Sequence, residues 1–151
     1  MKMLALQTVR ILPLSFMLVL AGCASTLEPP QAGEQPIVVT KLTQSANSWD
    51  GKLLPAYPAQ QPQITILRIR IAPGAKLPLH HHPVINAGVL LSGQLSIETA
   101  NGDRLHLKAG DPIVETVNTV HYGVNDGKVP AEIIVVYAGA VDQAITVVEP
   151  Q

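Results

Sequence analysis

The stretch "GAKLPLHHHPVINAGVLLSG", residues 74–93, holds three of the five histidines of this 151-residue chain. Successive side chains of a β-strand point to opposite faces, so residues two apart share one face at a separation of about 6–7 Å. The pattern therefore predicts that His80 and His82 point the same way while His81 points away. Two imidazoles at that separation can bind one metal ion.

The segments that follow residue 63 are typical of β-strands. In "ITILRIRI", residues 64–71, Leu67, Ile69 and Ile71 share one face and the two arginines share the other. Alternation of this kind predicts a half-buried strand. Roughly nine such segments, with turn signals about every 8–12 residues, predict an all-β sandwich or barrel.

A third imidazole is needed to complete a set of three nitrogen ligands. His106 alternates with Arg104 and Lys108, so it is expected to face solvent. His121 lies on a different predicted strand from His80 and is the remaining candidate. Three histidines with one open position form a known arrangement for a catalytic metal ion.

The first histidine segment follows a fixed spacing. Gly74 is followed by five residues, the three histidines, three residues, Asn86, six residues and Gly93. This spacing resembles the first signature of the cupin superfamily. The resemblance places Asn86 where that signature has a glutamate.

A second run of residues resembles the second cupin signature. Gly110 is followed by five residues, then Thr116, and Asn118 comes two positions later. His121 and Asn125 complete the run at the expected spacing. Thr116 and Asn118 stand where the signature has a proline and a glycine.

The resemblance implies an all-β fold, the double-stranded β-helix or jelly-roll barrel of the cupins, over residues 64–149. It also implies that His80, His82 and His121 are metal ligands. The expected cofactor is a divalent ion such as Zn, Fe, Mn, Ni or Cu, and the sequence does not select among them.

The fourth ligand is left open by the sequence. In one alternative, the three histidines hold the ion with water or the amide oxygen of Asn86, which lacks the charge of a carboxylate. In a second, Glu115 supplies the carboxylate, because it shares strand parity with Ile113 and Val117 and would point inward; an exposed Glu115 is the competing interpretation. In a third, no metal binds and the histidines hold a small organic anion or fill a polar pocket.

The amino-terminal residues 1–22 are typical of a secretory signal. Lys2 and Arg10 give a positively charged segment before a short apolar run, residues 11–20, and small residues follow that run. "LAGC" resembles the lipobox of bacterial lipoproteins, which implies lipidation, including palmitate, at Cys23, the single cysteine. Ala24 in the next position implies an outer-membrane lipoprotein that faces the periplasm.

Between the lipid and the barrel the sequence predicts two further segments. Residues 23–36 are rich in Pro, Gly, Ser and Gln and predict a flexible tether. Residues 37–63 predict a short strand followed by a proline-rich loop. Trp49 and Tyr57 are expected to pin this loop to the barrel by packing, and lining the pocket mouth is the alternative.

Composition narrows the classes of partner. The chain has 10 basic and 11 acidic side chains and 3% aromatic residues, so nucleic acid is not an expected partner. Apart from Glu115, the sequence offers no evident general acid or base for catalysis. This scarcity favours a module that binds a metal, or a small ligand, without turnover. A metal-dependent oxygenase, isomerase or lyase acting on a small molecule is the alternative. The resemblance is also compatible with a homodimer.

Overall fold

The computed structural model describes residues 37–150, and nine β-strands without any helix make up the regular structure of this part of the chain. The strands are β1 (Pro62–Ile71), β2 (His80–His81), β3 (Ile85–Ser92), β4 (Gln94–Thr99), β5 (Arg104–Lys108), β6 (Pro112–Val114), β7 (His121–Val124), β8 (Ala131–Ala140) and β9 (Val147–Val148). The predicted signal, the tether and Cys23 lie outside the described residues.

The strands form two antiparallel sheets. One has four strands in the order β1-β8-β3-β6, and the other has five in the order β5-β4-β7-β2-β9. Buried side chains from both sheets contribute to one hydrophobic core. The prediction of an all-β double-stranded β-helix is confirmed. Within residues 37–150 there is no helix of the length and apolar character that a membrane span requires.

The inward and outward faces of β1 follow the predicted alternation. Ile71 is buried, and Leu67 and Ile69 pack against the core, whereas Ile66 on the opposite face is 64% exposed. β1 pairs along its whole length with β8, so the same alternation places Val135 inward. The two longest strands therefore present a continuous apolar wall to the barrel interior.

The predicted strand at the start of residues 37–63 is wrong. Residues 37–45 form no strand, and Ile37, Val38 and Val39 are exposed. A β-forming composition needs a partner edge, and none of the described strands pairs with this segment. The expected packing of Tyr57 is also wrong, because its side chain is 78% exposed. The packing of Trp49 against the core is confirmed.

Candidate metal centre

Three histidines of the five-stranded sheet meet inside the barrel. β2 and β7 are antiparallel neighbours whose register sets His80 directly opposite His121, and His82 follows β2 on the same face as His80. The ring centroids lie 4.5 to 5.1 Å apart. One nitrogen from each ring lies within 4.8 Å of the other two, and all three side chains are buried. The geometry matches the predicted three-histidine site.

The tautomer of each imidazole is set by a main-chain carbonyl. Each Nδ1 lies within hydrogen-bond distance of a backbone oxygen, which can only accept, so each Nδ1 carries the proton. The contacts are His80 Nδ1 to Pro78 O at 2.8 Å, His82 Nδ1 to Ile145 O at 2.9 Å, and His121 Nδ1 to Thr119 O at 2.8 Å. Each Nε2 therefore keeps its lone pair free for an ion.

Burial keeps the three rings neutral. Removal from water lowers the pKa of His80 and of His121, and lowers the pKa of His82 to about 4. Neutral imidazole is the form that binds metal, so no proton has to leave Nε2 at neutral pH. The site is therefore prepared for an ion in both tautomer and charge.

The facing four-stranded sheet contributes oxygen atoms. Asn86 on β3 is 1% exposed and Glu115, one residue past β6, is 7% exposed. A hydrogen bond of 3.0 Å from the Glu115 amide to the Asn86 carbonyl holds the two residues side by side. Glu115 points inward, so the alternative of an exposed carboxylate is wrong.

Two oxygens of this pair have no hydrogen-bond partner within residues 37–150. They are Asn86 Oδ1 and Glu115 Oε2, and both are fully buried. A buried acceptor without a donor costs about 1–3 kcal/mol, so such atoms usually mark a missing ligand, ion or water. Glu115 Oε2 lies 3.8 Å from His121 Nε2, too far for a hydrogen bond. The donor set of three nitrogens and two oxygens fits a divalent cation.

The Glu115 carboxyl titrates close to neutral pH. Burial raises its pKa to about 7, against smaller lowering effects from its hydrogen bond to the Thr116 backbone and from His80. The nearby Asp50 carboxylate raises it further. Glu115 can therefore hold or release a proton beside the histidines under ordinary conditions.

A short loop before β1 is also part of the site, which the sequence did not show. The Trp49 amide donates to the Val114 carbonyl at 2.9 Å, and its indole packs against the core beside the Glu115 carboxyl without reaching hydrogen-bond geometry. Lys52 Nζ donates to Thr119 Oγ1 at 2.9 Å. The loop is therefore hydrogen-bonded to the residue before Glu115 and to a residue two positions before His121.

Tyr137 is a second residue that the sequence reasoning missed. It lies on β8 directly opposite Asn86, and its ring centroid is 5.4 Å from that of His82. Its side chain is buried. The signal was available, because Ile133, Val135 and Tyr137 alternate along one face of the same strand.

Two other histidines and one asparagine of the predicted sites lie outside the metal centre. His106 is exposed and contacts Ser96 Oγ at 3.0 Å, as expected for an outward histidine. His81 is half-buried and contacts Glu149 at 2.6 Å. Asn125 is fully buried; its Nδ2 donates to the Ile71 and Val129 carbonyls and its Oδ1 accepts from the Gly127 amide, so it supports the turn after β7.

Comparison with known proteins agrees with this geometry. Residues 67–137 match the family model described as a cupin domain. No curated protein matches the chain. The structure of a conserved protein with a double-stranded β-helix domain from Klebsiella pneumoniae is 22% identical, covers 65% of this chain and 87% of that one, and has a TM-score of 0.50. The domain match and this shared fold support the cupin superfamily.

Other structural neighbours, with lower TM-scores, are named for different activities. A putative sugar phosphate isomerase from Acidithiobacillus ferrooxidans is 25% identical over 56% of this chain and 55% of that one, with a TM-score of 0.48. A DMSP lyase from Ruegeria pomeroyi is 18% identical over 56% and 42%, with a TM-score of 0.48. This chain spans about half of those two proteins or less.

Proposed function

We propose that this chain is an envelope-anchored cupin-domain protein that binds a divalent metal ion through His80, His82 and His121. One observation carries the proposal: three buried imidazoles converge while their Nδ1 atoms are all bonded to backbone carbonyls. An arrangement that only filled a polar pocket would not require all three rings to leave the same nitrogen free.

The oxygen side of the site supports a fourth contribution from Glu115. Asn86 offers a neutral oxygen, whereas Glu115 offers a negative charge that lowers the cost of holding a dication in the barrel. A cation beside Glu115 would in turn favour its ionised form. The proposed ligand set is therefore the three histidine nitrogens, the Glu115 carboxylate, which supplies a negative charge, and Asn86 Oδ1, which supplies a neutral oxygen.

Metal content of the purified chain tests the proposal. Wild-type protein dialysed against zinc is expected to retain about one ion per chain, and His80→Ala and His121→Ala are expected to lose it. His106→Ala is the matched control, because His106 is exposed and lies outside the cluster. Equal metal content in the wild type and both site variants would overturn the proposal.

A metal-dependent enzyme is the second candidate function. A bound ion of this class can polarise an oxygen atom of a substrate. The observation that favours turnover is the Glu115 carboxyl, whose pKa of about 7 suits a proton-transferring group beside a cavity. Loss of turnover in Glu115→Gln with metal content retained would support an oxygenase, isomerase or lyase over a binding module.

The location is proposed from the amino-terminal sequence. The signal-like residues 1–22 and the lone Cys23 support a lipid anchor at the outer membrane, with the barrel facing the periplasm. Labelled palmitate is expected to enter the wild-type chain and not Cys23→Ser. Label in both chains, or in neither, would overturn the anchor.

A homodimer is proposed as the form in which the barrel occurs. The outward face of the four-stranded sheet exposes Ile64, Ile66, Leu91 and Val136. Several exposed apolar side chains on one face of a sheet are typical of an interface. Light scattering of the anchor-free chain is expected to give twice the monomer mass, and a monomer at all concentrations would contradict the proposal.

A further inference from the structure

A cavity of about 220 Å³ opens onto the histidines between the two sheets. Its walls are apolar side chains from both sheets and their connections: Leu67, Ile69, Leu77, Pro78, Val135 and Val148. We call this cavity the chamber. The polar lining residues are His80, His82, Asn86, Glu115, Tyr137 and Thr146. We call the place where Asn86 and Glu115 lie side by side the polar end.

The chamber is not lined by a cationic side chain from the described part of the protein. None of the lysines and arginines of residues 37–150 is among its lining residues. Arg68 and Arg70 alternate with the wall residues of β1 and lie on the outer face, where Arg68 bonds Glu132. Lys76 lies over the Tyr122 ring at 3.6 Å. A phosphate or sulfonate on a ligand would therefore lose its hydration without a compensating positive side chain along the walls.

The size of the chamber limits the ligand further. A volume of about 220 Å³ corresponds to roughly seven water molecules, taking about 30 Å³ for each. A molecule with a single ring matches this volume, and the remainder of a larger ligand would extend out of the opening. A polyol of the right size would leave most of its hydroxyl groups against apolar carbon, at a cost of about 1–3 kcal/mol for each unpaired group.

The polar end requires a hydrogen-bond donor. Asn86 Oδ1 and Glu115 Oε2 are buried acceptors without a partner among residues 37–150. Both residues line the chamber. A ligand hydroxyl can donate to one of these oxygens while its own oxygen faces the ion that the three histidines would hold.

We infer that the chamber binds a small uncharged alcohol or phenol, with the hydroxyl at the Asn86–Glu115 end and an apolar single-ring body against Leu67 and Val135. The part of this inference that concerns the hydroxyl rests on the proposed metal site. The part that concerns the apolar body rests on the walls alone and holds for the metal-free chain.

Three ligands with the same six-membered ring test the inference. They are cyclohexanol, cyclohexyl phosphate and myo-inositol, each titrated into the full chain while methyl NMR signals of Leu67 and Val135 are followed. Cyclohexanol is expected to shift these signals saturably in metal-free protein. The phosphate and the polyol are expected to bind at least about tenfold more weakly, because neither loses its hydration favourably in the chamber.

Two variants of β1 supply a matched pair. Leu67→Gln places a polar side chain in the apolar lining of the chamber and is expected to weaken cyclohexanol binding about tenfold. Arg70→Gln changes a residue on the outer face of the same strand, where it is exposed, and is expected to leave binding unchanged. The three-ligand comparison uses wild-type protein, so it remains decisive if Leu67→Gln does not fold.

Zinc loading separates this inference from the proposed function. Zinc is expected to tighten cyclohexanol binding severalfold, because the hydroxyl oxygen then meets a cation. Cyclohexanol binding by a chain that takes up no zinc would support the apolar chamber while refuting the metal site. Tighter binding of cyclohexyl phosphate or myo-inositol than of cyclohexanol to metal-free protein, or no cyclohexanol shift with or without zinc, would overturn the inference.

Discussion

The two sheets bring opposite kinds of polar group to the centre of the barrel. On the five-stranded side, the rings of His80, His82 and His121 are neutral, and the Nδ1 atom of each is bonded to a backbone carbonyl. On the four-stranded side, Asn86 Oδ1 and Glu115 Oε2 are buried without partners among residues 37–150. The histidine side is preorganised by the fold, whereas the oxygen side remains costly until an ion or a donor arrives. Substitutions on the histidine side and on the oxygen side should therefore differ in their effects on metal affinity and on stability.

Loss of a histidine ligand should have the largest effect. His82→Ala removes one of three nitrogens and is expected to weaken zinc binding by roughly 1,000-fold, or about 4 kcal/mol. His81→Ala is the matched control, because His81 is the next residue and lies outside the cluster. A competition titration against a chelator of known affinity measures both. Equal losses in the two variants would contradict the distinction between them.

Removing the Glu115 charge should change the pH dependence of stability in the metal-free chain. The folded-state pKa of Glu115 is about 7, above its ordinary value of 4.5, so its protonated form stabilises the fold below about pH 4.5 and this contribution is lost as pH rises through 7. Between about pH 5 and pH 8, the wild type should therefore lose on the order of 3 kcal/mol relative to Glu115→Gln.

Urea unfolding of both chains at the two pH values measures this difference. The lowered pKa values of the histidines favour the fold as pH rises, but they act in both chains and largely cancel in the comparison. Zinc should reduce the difference, because a cation favours the ionised carboxyl. Parallel pH profiles of the two metal-free chains would show that Glu115 is not held in its protonated form.

Restoring a carboxylate at position 86 should have an intermediate effect. Asn86→Asp keeps the shape of the side chain and adds one negative charge beside the histidines. Manganese, a harder ion, is expected to bind about tenfold more tightly, or about 1.4 kcal/mol. The metal-free variant should be less stable than the wild type, since a buried charge then lacks a partner. Unchanged manganese affinity would place Asn86 outside the ion's reach.

Loss of an accessory hydroxyl should have the smallest effect. Thr146 Oγ1 lies 3.2 Å from His82 Nδ1, which already bonds the Ile145 carbonyl at 2.9 Å. Thr146→Val is therefore expected to weaken zinc binding by no more than about threefold, below the 10- to 100-fold typical of an essential supporting contact. A larger loss in the chelator titration would mean that the hydroxyl, rather than the carbonyl, sets the tautomer.

Much of the barrel and half of the site could be predicted because they depend on local periodicity. Leu67 and Ile69 alternate with arginines, and His80 and His82 lie two apart, so parity alone orients them. The spacing of the two signatures added His121. The same rules failed at residues 37–45, where an apolar composition favours a strand but none of the described strands pairs with it.

The remainder of the site depends on contacts between distant parts of the chain. Parity left Glu115 either inward or exposed, and the burial of its side chain, which is 7% exposed, resolves the choice. Trp49 lies in a loop without periodicity, so its place beside Glu115 could not be read from the sequence. The partner that sets the tautomer of His82 is the Ile145 carbonyl, 63 residues away.

The sequence by itself determined the strand pattern, the pairing of His80 with His82 on one face, and the absence of a glutamate at position 86, because each of these is a local property of the chain. Only the tertiary structure decided that Nε2 is the free nitrogen on the three site histidines, and that the Glu115 and Asn86 oxygens are buried near them without partners among residues 37–150. Those features arise from antiparallel register and burial, which join residues far apart in the chain and set their pKa values.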